Sequence, residues 1–250
     1  KERYKPIKKE TTAKKKTHPL KTIKILCRNK YFILITLAFA VIYTSLGLTG
    51  GSRIYYAKYV LGDEMLNSTM TMFNYIPTIL TIMLIPVFTK RFGKIKALFV
   101  GFLFYAAGLV LEIAGPVNLP MIYTGLVLQG IGHAALYSCL FAIVGDVVDY
   151  SEWKDGIREE GLTYSVTSFG QKIGTGLGTA ALGWILAAGH YDGTAAVQSA
   201  SAIFAIKGLF LYLPLAITVV VLIIWYLFMG IDKVYPTVRK ELDERREKAE

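Results

Sequence analysis

The sequence predicts an all-α membrane protein of six transmembrane helices, and three observations predict it. Of its 250 residues 54% are hydrophobic, more than a soluble domain of this length carries. Residues 31–52, 65–89, 113–145 and 208–231 contain no Asp, Glu, Lys or Arg. A run of roughly 18 such residues crosses about 30 Å of hydrocarbon as a helix. Third, the basic residues gather in alternate connecting segments. A large soluble protein with buried helices does not explain spans of this length separated by short charged loops.

The spans are expected at 31–54, 68–89, 96–114, 119–145, 162–188 and 208–231. The third ends near Glu112 and Gly115-Pro116, and the fifth is uninterrupted but for Lys172. Pro77, Pro86 and Pro214 fall inside spans, where neighbouring helices can satisfy the freed carbonyls, and they mark candidate kinks. Aromatic residues cluster at the expected interfaces: Tyr31-Phe32, Tyr55-Tyr56, Tyr59, Trp225-Tyr226 and Tyr235. Residues 237–249 read either as a short polar helix or as a solvated tail.

An even number of spans puts both termini on one side. Residues 1–30, 89–96, 145–161 and the C-terminal tail hold 12, 4, 2 and 6 of the 28 Lys and Arg. The opposite segments hold Arg53, Lys58 and Lys207. The positive-inside rule therefore expects cytoplasmic termini, in a plasma or inner membrane. The net charge of +10 is mostly this topology signal. The run Lys14-Lys15-Lys16 reads as a basic flank against anionic lipid rather than a nucleic-acid site. Residues 1–30 read as a basic linker without an initiating Met or a signal peptide, 31–231 as the transmembrane body, and 232–250 as a cytoplasmic tail. Cys27 and Cys139 suggest neither a disulfide nor a metal site.

On the fifth span Tyr164, Ser168, Gln171, Lys172, Thr175 and Thr179 fall within about 100° of arc, a polar stripe four turns long. Gly170, Gly174 and Gly178 recur every four residues on an adjoining face, which lets another helix approach closely. A lysine facing lipid at mid-span would cost roughly 2.5–3.5 kcal/mol, so Lys172 faces protein or water. It either marks a polar transport path or is a structural lysine paired with a carboxylate or carbonyls. On the fourth span Gly125, Gln129, His133 and Tyr137 share a face. His133 is a candidate proton carrier or a hydrogen-bonded packing residue. On the second, Thr71, Asn74, Thr78 and Thr81 form a weaker stripe.

The segment after the fourth span is acidic. Asp146, Asp149 and Glu152 recur every three residues and can share a helical face, with Lys154 and Arg158 beside them. A gate of ion pairs to a basic element and a solvated acidic loop both fit; a metal site lacks His, Cys and EF-hand spacing. No Ser-His-Asp setting, P-loop or H-E-x-x-H is present, so the sequence does not read as an enzyme.

Gly145-Asp146-Val147-Val148-Asp149-Tyr150-Ser151-Glu152-Trp153-Lys154, with Gly156-Ile157-Arg158 and Tyr164-Ser165-Val166, resembles the signature of glycoside–pentoside–hexuronide:cation symporters, the melibiose permease family of the major facilitator superfamily. Tyr55-Tyr56-Ala57-Lys58-Tyr59-Val60-Leu61-Gly62-Asp63, Arg91-Phe92-Gly93-Lys94, and Tyr235-Pro236 followed by Glu241-Leu242 resemble further segments of it. The resemblance implies one half, helices 7–12, of a twelve-helix fold, with residues 1–30 as the central cytoplasmic loop. It implies a site near the sugar for Lys172, Thr167, Ser168 and Tyr137, to which the stripe adds Gln171. Thr167, Ser168 and Tyr137 stand where melibiose permease has Gln, Thr and Trp. Asp146, Asp149, Glu152 and Arg158 are the expected gating network. No cofactor is expected beyond a coupling cation, Na⁺ or H⁺, held mainly by an N-terminal six-helix half. The expected activity is cation-coupled symport of a sugar or glycoside by alternating access. A lipid-type substrate on the same fold and a non-transporting half-length scaffold are its rivals.

Overall fold

A computed structural model describes residue 26 and residues 28–156 and 158–248. Cys27, the Lys14–Lys16 run and nearly all of the 1–30 linker lie outside the described residues. The described chain is helical.

Helix α1, Lys30–Tyr59, opens at Asn29, whose side chain accepts the Tyr31 N–H at 2.9 Å. It runs well past 54 because its hydrogen-bonding ladder is indifferent to the charges at Arg53 and Lys58. The second span is bent: α2, Leu66–Ile82, meets α3, Ile85–Phe92, at 55°. Pro86 sits in the first turn of α3, where its ring and missing N–H prevent continuation from α2. Pro77 lies inside α2 without breaking it.

Helix α4, Lys94–Ala114, starts after Gly93, whose φ of 93° suits glycine. The Asp232 carboxylate accepts the Ile95 and Lys96 N–H groups at 3.2 and 3.3 Å, capping this helix from the far end of the chain. Helix α5 spans Leu119–Asp155, 37 residues, and stops at Gly156 in the left-handed region, φ 65°. The acidic segment expected as a loop at 145–161 is therefore mostly helix. Asp146, Asp149 and Glu152 lie on its projecting end.

Helix α6, Glu160–Ala188, is the fifth span. The sixth begins earlier than its charge-free run: α7, Ala200–Lys207, passes through a π-helical turn, Gly208–Tyr212, into α8, Leu213–Phe228, which Pro214 opens. The polar segment thereafter is a helix, α9, Gly230–Glu247. By length and composition four spans qualify, and a fifth if the bent pair is one span. Helix α6 is long enough but diluted by Gln171, Lys172, glycines and threonines.

Two glycine seams set the packing. Along α6, Gly170, Gly174 and Gly178 meet the carbonyls of Thr36, Ala40 and Thr44 on α1, and Gly47 returns the contact to the Thr175 carbonyl. Between α4 and α5, Gly101 opposes Gly132 and Gly108 opposes Gly125. Small residues there replace a hydrophobic driving force that lipid does not supply. Helix α2 lies on α5, and α8 on α4 and α1. One apolar core surrounds Phe39, Trp225 and Phe228, and the other surrounds Tyr56, Leu126 and Phe210.

Candidate functional site

Tight α1–α6 contact turns the remaining face of α6 outward. There an open groove of about 420 Å³ is lined by Tyr164, Ser165, Ser168, Phe169 and Lys172. Lys172 is exposed and has no hydrogen bond or ion pair among the described residues. Among the described residues no carboxylate or carbonyl holds it, as a structural lysine would require. Ser168 is half-buried beside it, and Gln171 is half-buried outside the groove lining.

Thr167 is a correction. It is 0% exposed in the α1–α6 interface, and its hydroxyl donates to the Thr163 and Tyr164 carbonyls at 3.1 and 3.0 Å. Its donor is committed and it does not line the groove. Thr175 and Thr179 also spend their hydroxyls on carbonyls one turn back, those of Gln171 and Thr175. The polar stripe therefore contracts to Tyr164, Ser168 and Lys172.

Tyr137 is on α5, 45% exposed, its ring 5.8 Å from that of His133. The α5 face expected from spacing grades from packed to open. Gly125 is wedged against Glu112, Gln129 donates to Glu112, and His133 stacks near Tyr105 at 5.0 Å with Asn74 Oδ1 3.4 Å from its Nδ1. Of the second-span stripe, Asn74 and Thr78 are buried and bonded to α5 carbonyls, so that stripe is helix packing.

At the other end of the bundle the acidic residues find partners. Lys94 reaches both oxygens of Asp146, at 2.7 and 2.9 Å, and lies 5.5 Å from the Tyr235 ring. Tyr235 donates to Asp149 at 3.0 Å. Arg158 pairs with Asp149 at 3.0 Å, Glu152 at 2.5 Å and also Glu160, clamping the end of α5 to the start of α6. Burial would lower the Arg158 pKa, but hydrogen bonds to Glu152, Glu160 and Asp149 outweigh it and raise it, so Arg158 remains a fixed cation. Burial raises the pKa of Asp232, opposed by the backbone N–H groups of Lys96 and Ile95. The Trp153 indole donates to Glu241 on α9 at 2.7 Å. The four gating candidates thus join one network, which also ties α4, α5, α6 and α9 together.

The Lys94–Asp146 pair is asymmetric: the Asp146 side chain is 8% exposed and that of Lys94 34%. Lys94→Met strands the more buried partner and is expected to cost about 2–3 kcal/mol, against about 1 kcal/mol for Asp146→Asn, which frees a lysine able to reach water. Thermal unfolding in detergent compares the two; the reverse order would count against a partly buried pair.

Sequence reasoning missed Arg53 and Glu112. Arg53, assigned to a loop, lies on α1 and donates to Thr71 at 3.1 Å. Glu112, taken for the end of a span, is fully buried and accepts from Gln129 at 2.7 Å. Each closed a charge-free run, and nothing local pointed to the other. Gly108, Glu112, Gly125 and Gln129 at four-residue spacings were the available signal.

Residues 1–233 match the family described as MFS/sugar transport protein. The chain belongs to this family. It is similar to the isoprimeverose transporter of Lactiplantibacillus pentosus, 30% identical over 242 residues that cover 94% of this chain and 49% of that protein. The glucuronide carrier protein homolog of Escherichia coli is 26% identical, over 90% of this chain and 50% of that protein. The uncharacterized symporter YjmB of Bacillus subtilis is 26% identical, over 89% of this chain and 49% of that protein. The chain spans about half the length of the curated relatives it matches. Family membership and apolar spans make this an integral membrane protein of the glycoside–pentoside–hexuronide group.

Proposed function

We propose that the chain is the C-terminal six-helix half of a cation-coupled sugar or glycoside symporter that works by alternating access. The observation that carries this reading is Lys172: a lysine on α6 with no partner among the described residues, on a groove beside a glycine seam. A charge in that position marks a substrate or ion path by default. The relatives are named for isoprimeverose, a glucuronide and symport, which favours a sugar or glycoside substrate.

In this reading an N-terminal six-helix half covers the groove, and the substrate sits between the halves near the midplane. Ser168 and Lys172 bond substrate hydroxyls, with Gln171 at the margin, and Tyr137 offers a ring face. The coupling cation, Na⁺ or H⁺, binds mainly in the other half. The network of Asp146, Asp149, Glu152 and Arg158 stiffens the cytoplasmic end, on the side of both termini, and helps to close it.

The isolated chain is expected to give no sugar counterflow in liposomes, because half of the site and one wall of the path are missing. Joined to its N-terminal half, it is expected to take up labelled glycoside, and free sugars compete. Counterflow by the chain alone would sink the two-half reading. Uptake that free sugars leave untouched would favour a lipid-type substrate.

A further inference from the structure

Two charges inside the membrane body take no part in the Lys172 groove. Glu112 lies on α4, fully buried, and Gln129 holds its Oε1; its Oε2 is buried with no hydrogen-bond partner among the described residues. Arg53 on α1 gives one guanidinium N–H to Thr71, and its Nε is buried with no hydrogen-bond partner among the described residues. The two groups interact electrostatically, yet no ion pair joins them. The position is built for the carboxyl group: a Cβ on Gly125 would stand 2.6 Å from the Glu112 Cγ. Tyr56 from α1, Tyr75 from α2, Tyr105 from α4 and His133 and Tyr137 from α5 each interact electrostatically with one or both of the pair. Arg53 is the cation among them.

A buried carboxylate with one donor is short of partners, and a bare buried charge costs several kcal/mol. A proton or the Arg53 guanidinium can each complete Oε2, while the Tyr56 hydroxyl is already given to the Pro116 carbonyl. One position cannot hold both. We propose that Glu112 is a proton-binding site of this chain, with Gln129 fixing one oxygen and Arg53 displacing the proton from the other. With the proton on Oε2 the carboxyl group is neutral, and Arg53 stays on Thr71, as seen here. When Arg53 turns onto Oε2, the O–H bond breaks and its electron pair stays on the oxygen. The proton leaves to water and an Arg53–Glu112 ion pair remains, so charge balances. The site lies two residues from the end of α4, opposite the Lys94–Asp146 end.

The site does not depend on sugar recognition, and its test uses no sugar. Infrared difference spectra of the full 250-residue chain in lipid vesicles are taken as pH is raised. The expected result is loss of a protonated-carboxyl signal that Glu112→Gln abolishes while helical circular dichroism is unchanged. Arg53→Gln removes the displacing cation, so the signal persists at pH values where the native chain has lost it. Gln129→Leu keeps the acid and shifts its frequency, which serves if Glu112→Gln does not assemble. A signal that survives Glu112→Gln, is blind to Arg53→Gln or Gln129→Leu, or follows Na⁺ at constant pH would overturn the proposal.

Discussion

Gly174→Ala is expected to force α1 away from α6 and to cost about 3 kcal/mol. The added methyl group meets the Ala40 carbonyl oxygen closer than real Cβ atoms come, with the Ala40 carbonyl carbon and the Thr44 nitrogen both 3.1 Å away. These are backbone atoms of a helix that continues for turns in both directions. They cannot rotate aside as a side chain does, so the cost falls at the upper end of overpacking penalties. For a chain of this size that corresponds to a fall in melting temperature of about 6–12 °C. Gly176→Ala is the control. It lies two residues on, with nothing within 4 Å of its added Cβ. There the methyl group gains helix propensity, up to about 1 kcal/mol, and the melting temperature holds or rises. Equal responses at 174 and 176 would mean that α1 and α6 do not pack through this seam.

The seam also explains what the sequence revealed about the site and what it did not. Gly170, Gly174 and Gly178 are readable as a packing face because four-residue spacing nearly matches the helical turn. Thr167 lies three and seven residues before the first two, on that same face. Assigning it to the substrate set it against its own helical phase, and the structure buries it. Lys172 and Ser168 fall on the other side of the seam and emerge in the groove. The six spans were readable because a bilayer tolerates few charges. Their ends were not, because a helix does not stop where the charges begin. Thus α1 continues through Arg53 to Tyr59, α5 through Asp146 to Asp155, and the sixth span begins at Ala200, beyond Lys207. The bend at Pro86 follows from its ring. Arg53 and Glu112 escaped because their meeting is long-range: 59 positions apart, each looked like the polar end of a span until tertiary packing placed both inside.

Lys172→Ala, in the chain joined to its N-terminal half, is expected to lower coupled sugar uptake about 10- to 100-fold. A hydrogen bond to a charged group contributes roughly 1.5–3 kcal/mol, and each 1.4 kcal/mol is tenfold. Stability separates this role from a structural one. Lys172 is exposed and holds no partner among the described residues, so its removal should change the stability of the isolated chain by less than about 0.5 kcal/mol. Lys172→Arg keeps the charge but replaces a compact ammonium with a planar fork. It is expected to recover part of the uptake, and least for a substrate that the groove between Ser168 and Phe169 holds tightly. Ser168→Ala removes a neutral hydroxyl and should cost about tenfold or less. Unchanged uptake in Lys172→Ala would take the residue out of the site. A fall in uptake matched by a fall in melting temperature of the joined halves would show that Lys172 binds a carboxylate across the interface, so that assembly and not substrate recognition is its work.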